Sequence, residues 1–479
     1  MNVRRFGLIA GPLAFTMILL LLRPAGLSTA GVAVLATTAW MAIWWTTEAV
    51  SIAVTALLPI VLFPLTGVLP AAEVTKSYGH YLVFLFLGGF IIAMAVERWD
   101  LHRRIALGII ALIGSNQRRI ILGAMLATAF LSMWISNTAT SVMMLPIAMA
   151  IATQINDNPA TAENERTVFG KALMLSIAYS ASIGGMASLI GTPVNGVLVG
   201  QVKTVYGYEI GFVDWFRIGF PVAAVLLVIC WYYLTRVAFR IGEGSIAGGQ
   251  AEIARLRRAQ GPITAEEVKV LVVFLLTALA WIFRKSVLAE LVPGINDAVI
   301  AMLGAIALFL LPGRTAGQPL LTWAEAVRLP WGVVLLLGGG FALAAGFTAG
   351  GLGEYVGENL SVPDAVGGLV IVLAVVAGVN FFTEITSNVA TTSMLLPVLA
   401  VAAGALNMTG SELMIPATLA ATCAFMLPVA TPPNAVVFGS GYLTIPDMAR
   451  AGFRMNVISI IIISLFCYFG LPLISSFSF

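Results

Sequence analysis

Phe130-Leu-Ser132-Met-Trp-Ile-Ser136-Asn137-Thr138-Ala139-Thr140-Ser141 is a polar stretch inside apolar sequence, closing at Leu145-Pro146. A second stretch, 251 residues later, repeats the pattern: Phe381-Phe-Thr383-Glu384-Ile-Thr386-Ser387-Asn388-Val389-Ala390-Thr391-Thr392, closing at Leu396-Pro397. Each interrupts an apolar block, 120–152 in the first case and 366–406 in the second. Such blocks read as re-entrant hairpins, because non-helical backbone survives at membrane depth only where protein shields it. A hydroxyl-and-amide cluster built twice marks a site assembled around a pseudo-twofold axis near the bilayer midplane.

The surroundings require a bilayer. Hydrophobic residues make up 60% of the 479 and charged residues 10%, with a mean hydropathy of +1.00. No soluble domain has enough interior to hide that much apolar surface. Apolar runs suited to spanning recur near 7–22, 28–45, 48–66, 81–97, 172–200, 213–235, 268–283, 296–312, 331–350, 413–440 and 454–474. The fold class is an all-α polytopic membrane protein with about eleven transmembrane helices and two re-entrant hairpins.

With a cytoplasmic N-terminus, nineteen Lys and Arg fall inside and six outside. That positive-inside bias sets the N-terminus in and the C-terminus out. The basic loops are then topology signals, with no nucleic-acid partner. Residues 1–30 read as a retained first span rather than a cleaved signal, since the topology balances with it in place. Cys230, Cys423 and Cys467 lie in apolar spans without a pairing pattern and read as buried thiols.

The repetition extends beyond the two motifs. Leu87-Gly88-Gly89-Phe90 resembles Gly338-Gly339-Gly340-Phe341, and Ala49-Val50 resembles Ala298-Val299. Gly191-Thr192-Pro193-Val194-Asn195 matches Ala430-Thr431-Pro432-Pro433-Asn434 at an offset of 239. The shorter offset places the difference in the polar loop at 156–165. An odd number of elements per unit turns the second unit upside down. The first hairpin then enters from the cytoplasm beside Arg118-Arg119, the second from outside beside Glu354, Glu358 and Asp364, and their tips should meet. The expected organisation is scaffold helices (1–115), a first transport segment (116–235), a cytoplasmic linker (236–266), further scaffold helices (267–350) and a second transport segment (351–479). The linker region 240–266 has the composition of an amphipathic helix on the membrane surface.

At a hairpin tip, Ser136-Asn137-Thr138 brings hydroxyls and an amide to helix ends. The N-termini offer free N–H groups and positive dipole ends to an anion, while the oxygens suit a small hard cation such as sodium. Proline removes a donor and clashes with the preceding turn. Each Thr-Pro span should therefore break and turn carbonyls toward a tip. Lone Ser and Thr in membrane helices usually bond their own backbone; four polar breaks in two matched pairs favour a binding site. Glu384 is a candidate proton carrier, or else pairs locally. Glu48, beside Trp44-Trp45, reads as an interfacial and capping residue. His80 and His102 lack partners at metal spacing, and no Walker loop or hydrolase motif is present. Nothing marks an enzyme or an organic cofactor.

At these residues the chain resembles the divalent-anion/sodium symporter family, which includes the INDY-type di- and tricarboxylate transporters. The paired Ser-Asn motifs, the two Thr-Pro motifs and Trp44-Trp45-Thr-Thr-Glu48 carry the resemblance. It implies a homodimer working by an elevator mechanism, with an inverted repeat and Na+ as the co-transported ion. One sodium would be held by Ser132, Ser136, Asn137 and the backbone of Gly191. A second would be held by Thr383, Thr386, Asn388 and the backbone of Ala430. Substrate carboxylates would contact Ser136, Asn137, Thr138, Ser387 and Asn388, with Thr192, Val389, Thr431 and Pro432 lining the pocket. Val389 replaces a threonine of the family motif, and Val194 replaces a proline. The leading expectation is sodium-coupled symport of C4-dicarboxylates across the cell (inner) membrane in which the protein sits. The alternatives are a sodium-independent dicarboxylate exchanger of the same fold and a sodium-coupled sulfate or tricarboxylate transporter. An anion channel or a membrane-embedded enzyme lacks a matching signal.

Overall fold

Apolar composition, carried through long runs without breaks, makes helices of almost every segment. The computed structural model describes residues 3–22, 24–114, 116–154, 165–242, 244, 249–314, 317–352, 355, 367–474 and 479. Among them α1 (Val3–Leu21) pairs with α2 (Thr29–Thr47), followed by α3 (Ile52–Thr55), α4 (Leu58–Thr66), α5 (Ala71–Tyr78) and α6 (Tyr81–Arg98). Next come α7 (Leu101–Ile113), the hairpin α8 (Gln117–Ser132) and α9 (Asn137–Ala152), α10 (Glu165–Ala187), α11 (Pro193–Tyr206) and α12 (Phe212–Tyr232). The second part holds α13 (Gly249–Ala259), α14 (Ala265–Phe283), α15 (Asp297–Leu310) and α16 (Trp331–Ala349). It ends with the hairpin α17 (Gly368–Thr383) and α18 (Asn388–Ala405), then α19 (Gly410–Ala421), α20 (Pro432–Phe438) and α21 (Ile445–Leu465).

Nine helical stretches among the described residues are long and apolar enough to cross a bilayer. The run at 48–66 is instead divided into α3 and α4, and the run at 296–312 gives only the shorter α15. The run at 413–440 is no single helix: it is α19, an unwound stretch and α20. The flank at Glu354, Glu358 and Asp364 and the loop at 155–164 lie outside the described residues.

The helix α7 fills a region where the sequence shows no span. It buries Leu101, His102, Ala106, Leu107 and Ile110 on one face, leaving Arg103 and Arg104 on another. Arg104 pairs with Glu267 at 2.8 Å and so ties α7 to the start of α14. The linker helix α13 forms, but its apolar residues Ile253 and Leu256 are buried, and it packs on α7 and α9. Its apolar face therefore meets protein rather than lipid.

Packing crosses between the two parts of the chain. The return helix α9 lies on α10 and α20, whereas the return helix α18 lies on α19 and α11. Each hairpin is thus wedged against the other part's second broken segment. Two glycines permit close approach elsewhere: a Cβ on Gly88 would stand 2.7 Å from the Ala301 backbone, and one on Gly200 would sit inside the Phe341 ring. Trp134, in the first hairpin turn, stacks on Phe212 (5.8 Å) and meets Phe274 edge-on at 5.0 Å. Phe212 in turn stacks on Trp281 at 5.0 Å.

Candidate functional site

All four motifs sit where a helix starts. Ser136 caps α9, its Oγ accepting from Ala139 N at 3.3 Å, and Ser387 occupies the same position on α18. Thr192 and Thr431 precede α11 and α20, each followed by a proline at the first helical turn, where no N–H is needed. Four N-terminal helix ends therefore carry the motif residues, with their unpaired N–H groups and positive dipoles.

At the first hairpin, Ser132 donates from Oγ to Ala181 O at 2.7 Å and reaches the Asn137 amide at 2.7 Å. With the amide nitrogen turned inward, Asn137 donates to Ala181 O (3.2 Å), Ser132 Oγ (2.7 Å) and Gly191 O (3.3 Å). With the amide oxygen inward, the same atoms form a cluster of oxygens of the kind that suits a small hard cation. Gly185 makes the space, since a Cβ there would press to 2.3 Å of Asn137 Oδ1.

The second hairpin repeats this geometry. Thr383 donates to Asn388 Oδ1 at 2.8 Å and to Ala421 O at 3.1 Å. The sequence singled out Ser132, Asn137, Thr383 and Asn388, and the structure brings each pair together. It adds the carbonyls of Ala181 and Ala421, for which side-chain patterns carry no signal. Thr386 is turned toward Thr391 (2.6 Å) and Phe382 O (3.0 Å). Among the substrate candidates, Thr138 and Pro432 are exposed, Ser136, Asn137, Ser387, Asn388 and Val389 are half-buried, and Thr192 and Thr431 are buried.

Two asparagines hold the broken segments. Asn195 donates to Gly185 O (3.2 Å) and Ser188 O (2.8 Å), and Asn434 donates to Ala424 O (3.1 Å) and Leu427 O (3.0 Å). Helix breaks leave carbonyls that must find donors when buried, and these amides supply them. Both residues stood in the quoted Thr-Pro motifs, so the signal was present in the sequence but its bracing role was not drawn from it.

The breaks differ in length. The first spans 188–192, and the second spans 422–431, twice as long. Pro428 gives a reason: a proline in a helix interior costs about 3 kcal/mol by losing a donor and clashing with the carbonyl four residues back. The released N–H groups of Phe425 (2.7 Å), Met426 (3.0 Å) and Leu427 (3.2 Å) all donate to the Glu384 carboxylate. Asn456 Nδ2 adds a fourth contact at 2.7 Å. Glu384 is buried, at 3% exposure.

The other candidates have local roles. Glu48 ends α2 in the left-handed region (φ 45°) and pairs with Arg4 at 3.3 Å. His80 caps α6, accepting from Leu82 N at 3.4 Å, and His102 Nδ1 lies 3.2 Å from Val96 O. The three cysteines are buried.

Helical architecture among the described residues and two oxygen clusters at matched helix breaks define a polytopic transporter-type membrane protein. The chain matches the sodium:sulfate symporter transmembrane region over residues 3–476, and it belongs to that family. It is 46% identical over 472 residues to the sodium-dependent dicarboxylate transporter SdcS of Staphylococcus saprophyticus, covering 97% of this chain and 91% of the relative. It is 45% identical over 474 residues to SdcS of Staphylococcus aureus strain USA300, covering 98% and 91%. Among solved structures it is similar in fold to Neisseria gonorrhoeae MtrF (TM-score 0.57, 13% identity, 83% of each chain). Alcanivorax borkumensis YdaH is also similar (TM-score 0.52, 11% identity, 83% of this chain and 86% of that one).

Proposed function

We propose that this protein is a sodium-coupled symporter of C4-dicarboxylates such as succinate, fumarate or malate. The matched Ser132–Asn137–Ala181 and Thr383–Asn388–Ala421 clusters carry this reading. No Lys or Arg lies in any of the four motifs, so the anion's charge is met by helix ends, hydroxyls, amides and co-bound cations. Each cation then stabilises both the hairpin beneath it and the carboxylate beside it, which couples the two fluxes. Ser132, Ser136, Asn137 and Gly191, with Ala181, hold one sodium; Thr383, Thr386, Asn388 and Ala430, with Ala421, hold the other. Ser136, Asn137, Thr138, Ser387 and Asn388 take the carboxylates, lined by Thr192, Val389, Thr431 and Pro432. The names of the SdcS relatives support the substrate class and the cation.

Movement follows an elevator scheme in a homodimer with inverted repeats, the N-terminus cytoplasmic and the C-terminus outside. Residues 116–235 and 351–479 travel, the helices of 1–115 and 267–350 stay, and 236–266 links them. An apolar seam supports the sliding step: Gly89, Ile92 and Val96 of α6 and Phe274 of α14 face Leu131, Ile135 and Ile190. This patch is suited to translation, while the bonds of Glu209 to Arg284, Asp214 to Lys285 and Phe212 N to Asp297, which join the same two segments, would have to open in the slide.

Uptake of labelled succinate into proteoliposomes without internal substrate should require an inward sodium gradient. Uptake that ignores sodium and appears only when unlabelled succinate is loaded inside would replace this reading with exchange. Val389→Thr should shift the relative KM values for succinate, fumarate and malate by about tenfold, the size of one hydrogen bond to a charged group (roughly 1.5–3 kcal/mol). An unchanged ranking would remove position 389 from the pocket.

A further inference from the structure

We infer that the acidic entry to α12 and the basic end of α14 form an ionic latch, closed in one end state of the cycle and opened in every passage to the other. This rests on the sliding motion proposed above. Three polar contacts cross the seam here: Glu209 pairs with Arg284 at 3.4 Å, Asp214 pairs with Lys285 at 2.5 Å, and Phe212 N donates to Asp297 Oδ2 at 2.8 Å. Residues 209–214 belong to the segment proposed to travel, and 284–297 to the helices proposed to stay.

Both sides are shaped for the contact. On the fixed side, α14 runs into a π-helical turn (Arg284–Leu288), a form found frequently at functional positions. The turn opens with two adjacent cations that the proposed orientation puts outside, against the positive-inside bias. Asp297 pairs with Arg284 at 2.7 Å, and both are buried, so the guanidinium is held in place from its own side. On the moving side, Gly211 leaves room for that guanidinium: a Cβ there would stand 2.5 Å from Arg284 Nη2. Asp214 Oδ2 also accepts from Gly211 N at 2.8 Å, which keeps the docking loop in shape.

The contrast with the rest of the seam gives the cluster its role. The patch formed by Gly89, Ile92 and Phe274 against Leu131, Ile135 and Ile190 is apolar, and non-directional contact of that kind tolerates a shift. Hydrogen bonds and charge pairs do not, because they need close and aligned partners. The rim therefore adds a preferred resting position to a seam that is otherwise free to slide. Lys285 and Glu209 keep 55% and 40% of their side chains exposed, so dissolved salt reaches the latch and weakens it.

The test follows the state of the seam rather than the activity. In a Gly89→Cys/Ile190→Cys background, whose Cβ atoms would lie 3.8 Å apart, the rate of oxidation reports how often the seam holds this arrangement. Glu209→Gln, Lys285→Gln and the two together would be compared with the native latch, and amide exchange of residues 209–214 followed alongside. For the two together the expected result is cross-linking at least threefold slower and exchange at least tenfold faster. Gly211→Ala, which crowds Arg284 without removing a charge, should move both readouts the same way. Raising choline chloride from about 0.01 M to about 1 M shortens the screening length from about 30 Å to about 3 Å. That should slow cross-linking with the native latch and have less than half the effect once both charges are gone. Faster exchange with unchanged cross-linking would overturn the inference and leave these residues as a local loop tie. A flat salt response with the native latch would overturn it too, and that measurement needs no latch variant to fold. Oxidised protein that still transports would instead defeat the sliding motion beneath it.

Discussion

Replacing Asn137 or Asn388 with Ala should lower sodium-driven uptake at least about a hundredfold while leaving the folded protein intact. In the proposed site each amide would serve two ligands, an oxygen to a cation and an N–H to a carboxylate. A hydrogen bond to a charged partner contributes roughly 1.5–3 kcal/mol, and losing two such contacts exceeds a factor of about a hundred. Folding should survive, because Ser132 still donates to Ala181 O and Thr383 to Ala421 O. Ser176→Ala is the control: its hydroxyl bonds its own helix at Leu173 O and should be dispensable. The measurement is initial uptake rate against sodium concentration, normalised to the protein reconstituted. Full activity in both asparagine variants would sink the site.

Joining α6 to the first broken helix should stop transport completely. A Cβ on Gly89 would lie 3.8 Å from Ile190 Cβ, and its nearest neighbour atoms stand at 3.6 Å or more. Disulfides span Cβ separations of about 3.5–4.5 Å, so Gly89→Cys with Ile190→Cys should cross-link without moving the backbone. Adjacent Gly88 offers no such choice, because its Cβ would strike Ala301. The native thiols Cys230, Cys423 and Cys467 are buried, so oxidation should act on the introduced pair. Uptake should fall to background on oxidation and return with reductant. Continued uptake by the cross-linked protein would rule out relative sliding of these elements.

The hairpins were legible in the sequence because polar residues there break long apolar runs, and only a site or an error explains such a break. The Thr-Pro breaks were legible for the same reason, since proline has a fixed physical effect. Other features left no such mark. The helix α7 alternates basic and apolar residues at a helical period, and a search for continuous apolar spans passes over it. Pro428 marks the 422–431 break, but the Glu384 and Asn456 contact that holds it joins residues 72 apart in sequence. Ala181 and Ala421 act through carbonyls, which every residue possesses, so nothing in their identity marks them. Thr386 also bonds Thr391 and Phe382 O, local contacts that left no mark in the sequence.

The aromatic stack at the first hairpin gives this protein an optical signature of its own position. Trp134 belongs to the hairpin turn and Trp281 to α14, with ring planes 9° apart and centres 6.5 Å apart. Near-ultraviolet circular dichroism depends on aromatic rings held in fixed packing. Among the ten tryptophans in the chain, Trp134 and Trp281 join the hairpin to α14, so under the proposed sliding motion their signal should be lost when the hairpin leaves α14 and recovered when it returns. If the hairpin moves as proposed, the molecule carries a native spectroscopic gauge of its cycle, with no label attached.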